Sequence, residues 1–159
     1  MPGIKSAQIP GVIIKPISKY TDARGWLMEC FRKDEIPTEL HPAMSYISMT
    51  LPGVTRGPHE HVTQTDYFCF LGPSTFRIYL WDNRKSSPTL GQKMTVDGGE
   101  KNPIIVIVPP GIVHAYQNIG QTNGIVLNYP NVLYAGQGKK EQVDEIRHEH
   151  DPDSPFKVT

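Results

Sequence analysis

Fourteen glycines and fifteen prolines are scattered along this chain rather than clustered, and they interrupt it every eight to twelve residues. Together they make up about 18% of the residues, against a usual share of roughly 12%. No long helix survives such punctuation, whereas short strands joined by turns require it. Between the breakers lie eight runs rich in β-branched and aromatic residues: Val12–Lys15, Trp26–Phe31, Ala43–Thr50, Asp66–Leu71, Thr75–Asp82, Ile104–Val108, His114–Asn118 and Ile125–Tyr129. In Thr75–Asp82, Phe76, Ile78 and Leu80 share one face while Arg77, Tyr79 and Trp81 share the other, which is strand periodicity. Ile104–Val108 is apolar throughout and predicts a strand covered on both faces. Only Lys139–His148 has helix-forming composition, with Val143 and Ile146 three apart. The expectation is an all-β chain, an antiparallel jelly-roll barrel with one short C-terminal helix. Its domain organisation is a single domain over 1–159, with the barrel at about 11–134 and the helix and tail at 139–159.

Sixteen basic residues balance sixteen acidic ones. That excludes the excess of positive charge on which nucleic-acid and anionic-membrane binding depend. Cys30 and Cys69 each sit in an apolar run, so a disulfide-stapled secreted scaffold is not expected. No apolar segment approaches the ~20 residues of a membrane span, and the first residues lack a signal-peptide pattern. The expected setting is cytoplasmic, with no nucleic-acid or membrane partner. The aromatic pair Tyr79/Trp81 suits a dimer edge, and the tail from Asp151 is read as either a pinned lid or a loose end.

Two segments carry candidate chemistry. The first runs Gly53-Val54-Thr55-Arg56-Gly57-Pro58-His59-Glu60-His61, followed by Asp66 and Gly72. The second runs Pro109-Pro110-Gly111-Ile112-Val113-His114, followed by Asn118. On a strand His59 and His61 project to one face, and His114 at the head of a later strand completes a cluster. His41, His148 and His150 have no such context. The spacings G-x5-H-x-H-x4-D-x5-G and P-x-G-x2-H-x3-N resemble the two cupin motifs, which implies a cupin-type barrel with the histidines at its mouth.

Three further stretches narrow the resemblance. They are Asp22-Ala23-Arg24-Gly25-Trp26 with Glu29 and Phe31, Thr55 to His59, and the string D-x-R-x-x-S-P-T-x-G from Asp82 to Gly91. Together they resemble the nucleotide-diphospho-4-keto-6-deoxysugar 3,5-epimerase family, over about Gly11 to Phe156. The resemblance implies an isomerase of deoxysugar or O-antigen biosynthesis that uses no cofactor and no metal. Its substrate is a nucleotide sugar whose 4-keto group acidifies the neighbouring C–H bonds. It implies His59 as the base, oriented by Asp151 of the late Asp-Pro pair, and Arg24 and Arg56 on the diphosphate. Glu29, His114 and Tyr134 fall among substrate-binding positions, and the family suggests a homodimer in which Arg24 and Glu29 reach the neighbour's site.

The departures from the family are informative as well. A lysine expected near the enolate oxygen is replaced by Thr65 beside Asp66, so His61 or His114 is expected to support that oxygen. A tyrosine expected as the proton donor is replaced by Asn128, which suggests inversion at one carbon, C3. The base-reading segment retains only Ser48, with Met44 and Tyr46 at the changed positions, so CDP is expected over dTDP. The competing readings are a 3,4-ketoisomerase, a non-catalytic sugar-nucleotide-binding cupin, and a metal cupin using His59, His61, Asp66 and His114.

Overall fold

The computed structural model describes residues 9–159. Among the described residues there are twelve strands: β1 Ile13–Pro16, β2 Lys19–Asp22, β3 Gly25–Met28, β4 Tyr46–Thr50, β5 Thr55–Glu60, β6 Asp66–Phe70, β7 Thr75–Asp82, β8 Lys93–Gly99, β9 Ile104–Val108, β10 Ile112–Asn118, β11 Gly124–Asn128 and β12 Ile146–Arg147. Two five-stranded sheets, ordered β1-β9-β6-β11-β4 and β12-β5-β10-β7-β8, face each other, and β2 and β3 form a separate hairpin. This is the jelly-roll barrel that the turn spacing predicts.

The core between the sheets is aromatic and aliphatic, with Phe68, Phe70, Phe76, Ile78, Leu80, Val106, Val108, Ile112 and Val126 all buried. The uniform apolarity of β9 has a direct cause. Val106 and Val108 point into the barrel, while Ile105 and Ile107 join Tyr67 and Cys69 beneath an outer layer that includes Phe31, Ile36 and Tyr129. On the other sheet Tyr79 and Trp81 are buried, packed with Val113 and Ala115 under Phe156 and Val158. The tail is therefore pinned, and Tyr79/Trp81 is not the exposed dimer edge suggested by the sequence.

The C-terminal helix is not formed. Gln137–Lys139 is a single 3-10 turn, and Gly138 and Lys139 adopt φ of 66° and 59°, which an α-helix does not tolerate. Downstream, Ile146 and Arg147 pair with Glu60 and His59 as a short edge strand, followed by a 3-10 turn at His148–His150. Among the described residues no helix is long and apolar enough to cross a membrane.

The string from Asp82 to Gly91 is a structural knot. Asp82 is fully buried, and its carboxylate accepts from Arg84 N, Nε and Nη2 at 3.1, 2.9 and 2.8 Å. The hydroxyls of Ser87 and Thr89 also donate to it, at 2.5 and 2.6 Å. Arg84, Ser87 and Thr89 are thus the donors that a buried carboxylate needs to stay ionised.

Candidate active site

His59 on β5 lies directly across from His114 on β10 in the sheet register. A bulge between His114 and Tyr116 and the left-handed Gly57 (φ +82°) bring the strands close. A Cβ at position 57 would lie 2.6 Å from the His114 carbonyl oxygen, so only glycine fits there. The two rings meet with centroids 4.3 Å apart. His61, just beyond β5, lies 5.6 Å from His59 and 5.9 Å from His114, again between ring centroids.

Asp66, at the start of β6 and 1% exposed, anchors this cluster. Its Oδ1 accepts from Gln64 Nε2 at 2.8 Å and from Asn128 Nδ2 at 2.7 Å. Its Oδ2 lies 3.1 Å from both His61 Nε2 and His114 Nε2. The Nδ1–H of each ring faces a main-chain carbonyl, that of Ile112 for His114 at 3.0 Å and that of Asp144 for His61. Burial disfavours ionisation of Asp66, but the two imidazoles outweigh it and hold the carboxyl well below the usual carboxylate range. Burial likewise opposes charge on His61, yet Asp66 beside it draws that imidazole above its ordinary value. His59 behaves oppositely, because burial and then the neighbouring His114 push it down to about 2. Its ring is therefore held in the neutral form.

A cavity of about 980 Å³ opens on this cluster, lined among others by Tyr46, Arg56, His59, His61, Tyr116, Tyr134, Glu145 and Arg147. That is the upper end of the volume range of small-molecule sites. Of the residues singled out from the sequence, Met44, Tyr46, Ser48, Arg56, His59, His61 and Tyr134 line it. Arg56 is held by Thr50 Oγ1 at 3.0 Å and the Met49 carbonyl at 2.8 Å. It forms no carboxylate pair among the described residues, so its charge remains available to an anion.

His114 and Asn128 lie behind the wall rather than on it. Asn128 spends its amide on Asp66 and on Tyr46 Oη (2.9 Å), while its carbonyl accepts from Tyr67 N at 3.0 Å. Arg24 sits at the tip of the β2–β3 hairpin, paired with Asp22, and Glu29 pairs with Arg32; neither lines the cavity. Asp151 is exposed and forms no ion pair with His59; its carboxylate accepts instead from Asp153 N. The carboxylate near His59 is that of Glu145, 3.8 Å from Nε2 and steadied by Arg147 at 2.6 Å. Asp151, expected beside His59, is thus not the carboxylate found there.

Sequence reasoning also missed Asp144. It accepts from Val62 N, Thr63 N, Thr63 Oγ1 and Gln64 N at 2.8, 2.8, 2.7 and 2.8 Å, fastening the C-terminal segment over the site loop. Asp144 and Glu145 fall inside the stretch read as a helix, where acidic residues look like a solvated face. No local signal marks them as site residues.

Comparison with known proteins gives a consistent result. The family model described as dTDP-4-dehydrorhamnose 3,5-epimerase matches residues 6–145, ending short of Asp151. The chain is 39% identical over 136 residues to the probable low-salt glycan biosynthesis epimerase Agl13 of Haloferax volcanii, covering 84% of this chain and 86% of that protein. It is 32% identical over 139 residues to the spore coat polysaccharide biosynthesis protein SpsL of Bacillus subtilis, covering 87% and 88%. In fold it is similar to the dTDP sugar isomerase from Desulfovibrio desulfuricans G20, with a TM-score of 0.81, 22% identity, and coverage of 94% and 91%. Matched over most of its length by the family model, with a jelly roll that opens a histidine-walled cavity, the chain belongs to the dTDP-4-dehydrorhamnose 3,5-epimerase family and is an isomerase of the epimerase type.

Proposed function

We propose that the protein epimerises a nucleotide-diphosphate-linked 4-keto-6-deoxysugar, supplying an activated sugar for a glycan or polysaccharide. The observation that supports this most directly is the place of His59 on the wall of a substrate-sized cavity, three residues from the guanidinium of Arg56, which pairs with no carboxylate among the described residues. Arg56 binds the diphosphate by charge-assisted hydrogen bonds. His59 takes the proton from the carbon beside the keto group, leaving an enolate whose negative charge rests on the 4-oxygen. A proton delivered by water to the opposite face of the same carbon completes the inversion, and His59 gives its proton back to solvent, so no atom is gained or lost overall.

Glu145 stabilises the imidazolium formed on His59, as a carboxylate does beside a general base. His61, whose ring nitrogens face Asp66 and the Asp144 carbonyl, shapes the cavity wall beside His59 and offers no free N–H to the enolate oxygen. Tyr46 and Tyr134 line the part of the cavity in which the base is read. Tyr46 in place of the family's residue favours CDP over dTDP, and Asn128 in place of a tyrosine favours inversion at C3 alone. Arg24 and Glu29, remote from their own cavity, serve the neighbouring site of a homodimer. The test is incubation with dTDP- and CDP-4-keto-6-deoxysugars in deuterated water, followed by NMR. Deuterium at C3 with inverted product supports the reading, and comparable incorporation at C5 refutes the single-carbon part of it. Binding without any exchange returns the protein to the non-catalytic class.

A further inference from the structure

The hydrogens around Asn128 can be assigned one by one, and they leave a free phenol O–H in the cavity. Asn128 is fully buried on β11. Its Oδ1 accepts from Tyr67 N, a main-chain group that only donates, so the orientation of the amide is fixed. Of the two hydrogens on Nδ2, one goes to Asp66 Oδ1 at 2.7 Å and the other to Tyr46 Oη at 2.9 Å. Tyr46 Oη is therefore the acceptor of that bond. Its own O–H hydrogen meets no acceptor among the described residues and is left for an occupant of the cavity that Tyr46 lines.

The fold sets this phenol across from the base. Tyr46 and Asn128 are partners in the β4–β11 register, so their side chains share one face of the sheet. Ser48, two residues along the same face, reaches Tyr116 Oη on β10 at 3.1 Å. That face is thus turned toward the sheet that holds His59, and the cavity lies between the two. A planar enolate bound there has His59 on one side and the Tyr46 hydroxyl on the other. The other phenols of the cavity are placed less well. Tyr116 Oη is engaged with Ser48 and comes from the sheet of His59 itself, and no side chain meets the Tyr134 hydroxyl among the described residues. Asn128 is an amide and no acid near neutral pH.

We propose that Tyr46 is the general acid of the inversion, relaying the proton of water to the face of the carbon opposite His59, with Asn128 as its positioning residue. The proposal rests on the epimerase reading above. The Tyr46 O–H bond breaks as the new C–H bond forms, and the electron pair of the enolate returns the 4-oxygen to a ketone. The phenolate left behind accepts the Asn128 N–H already aimed at it and regains a proton from water, which reaches a side chain 45% exposed. Burial, and then the charge of Asp66, raise this phenol above its ordinary value, so it holds its proton at neutral pH; the Asn128 hydrogen bond acts the other way and favours the phenolate. The task belongs to the hydroxyl and leaves the ring free to flank the base.

Tyr46→Phe keeps the ring and removes the hydroxyl. The full-length variant, checked for fold by circular dichroism and for nucleotide-diphosphate affinity by calorimetry, is compared with wild type on the 4-keto-6-deoxysugar nucleotide in deuterated water. NMR follows hydrogen exchange and inversion separately. His59 still removes the proton and can return a deuteron to the face it left, so exchange without inversion is expected. Inversion should fall by about 10²–10⁴-fold, with exchange close to the wild-type rate. Exchange and inversion falling together, or neither falling, overturns the proposal. Wild type that binds the nucleotide sugar but exchanges no hydrogen refutes the epimerase reading instead, and the proposal falls with it. A fluorinated tyrosine placed at position 46, nearly the same in shape and a stronger acid, guards against a variant that fails to fold. The alkaline limb of its pH profile for inversion should move to lower pH while the profile for exchange stays, and an unmoved limb overturns the proposal.

Discussion

Replacing Asp82 with alanine tests whether the family-specific string from Asp82 to Gly91 belongs to the scaffold or to the chemistry. The carboxylate is fully buried and receives five hydrogen bonds, three of them from Arg84. Removing one partner of a buried ion pair costs about 3–5 kcal/mol. The Arg84 side chain is 28% exposed and regains some hydration, which places the loss near the lower end, at about 3 kcal/mol. In a chain of this length 1 kcal/mol shifts Tm by about 2–4 °C, so the variant should melt about 6–12 °C below wild type. Thermal unfolding by circular dichroism reads this directly. Turnover per folded molecule at 20 °C should be unchanged, because neither Asp82 nor its partners line the cavity. The deficit should also depend on pH. The hydrogen bonds from Arg84 hold the Asp82 carboxyl well below the usual carboxylate range against the effect of burial. Its contribution is therefore complete above the unfolded carboxyl's pKa and fades as pH falls towards the folded value, so the two proteins should converge in stability below about pH 4. A Tm within 2 °C of wild type, or activity lost beyond the unfolded fraction, would refute this reasoning.

Other perturbations separate the remaining roles. Arg56→Ala should raise KM for the nucleotide sugar by about 10–100-fold, the loss of charged hydrogen bonds of roughly 1.5–3 kcal/mol, with a smaller effect on kcat; an unchanged KM would remove Arg56 from the diphosphate site. Glu145→Gln should lower kcat more than Asp151→Asn does, since Glu145 is the carboxylate beside His59; steady-state kinetics showing the reverse order would restore Asp151. Phe156→Ala uncovers Trp81, whose ring it meets at 5.9 Å, and should cost about 3 kcal/mol. It should also red-shift the tryptophan emission, and an unshifted spectrum would show that the tail does not seal that face.

How much of this was legible in the sequence depended on whether the determining contacts were local. Strands β6, β7 and β9 have a face that is buried in the barrel and a second face covered elsewhere, so their composition alone marks them at nearly the observed limits. The histidine cluster was legible for a related reason. Alternation along β5 and the turn before β10 fix where His59, His61 and His114 point. Strand β5 itself, with Gly57 and Pro58 inside it, lacks strand composition and is recovered only through its motif. The segment after Leu133 was misread because its conformation is set by distant partners. Asp144 binds the loop at 62–64, Ile146 and Arg147 add to the edge of β5, and Phe156 covers Trp81. The same non-locality moved the carboxylate beside His59 from Asp151 to Glu145. It also hid the use of Asn128 as a brace between Asp66 and Tyr46.

The central claim is that His59 abstracts a proton next to the keto carbon, and solvent hydrogen exchange measures that step itself. Wild-type protein and His59→Asn, shown by calorimetry to bind the nucleotide diphosphate equally, are incubated with the 4-keto-6-deoxysugar nucleotide in deuterated water and followed by proton NMR. Loss of the C3 proton signal with wild type, and a rate at least a hundredfold lower with His59→Asn, is the result expected. Exchange by His59→Asn at more than a tenth of the wild-type rate would contradict the account and assign the base elsewhere.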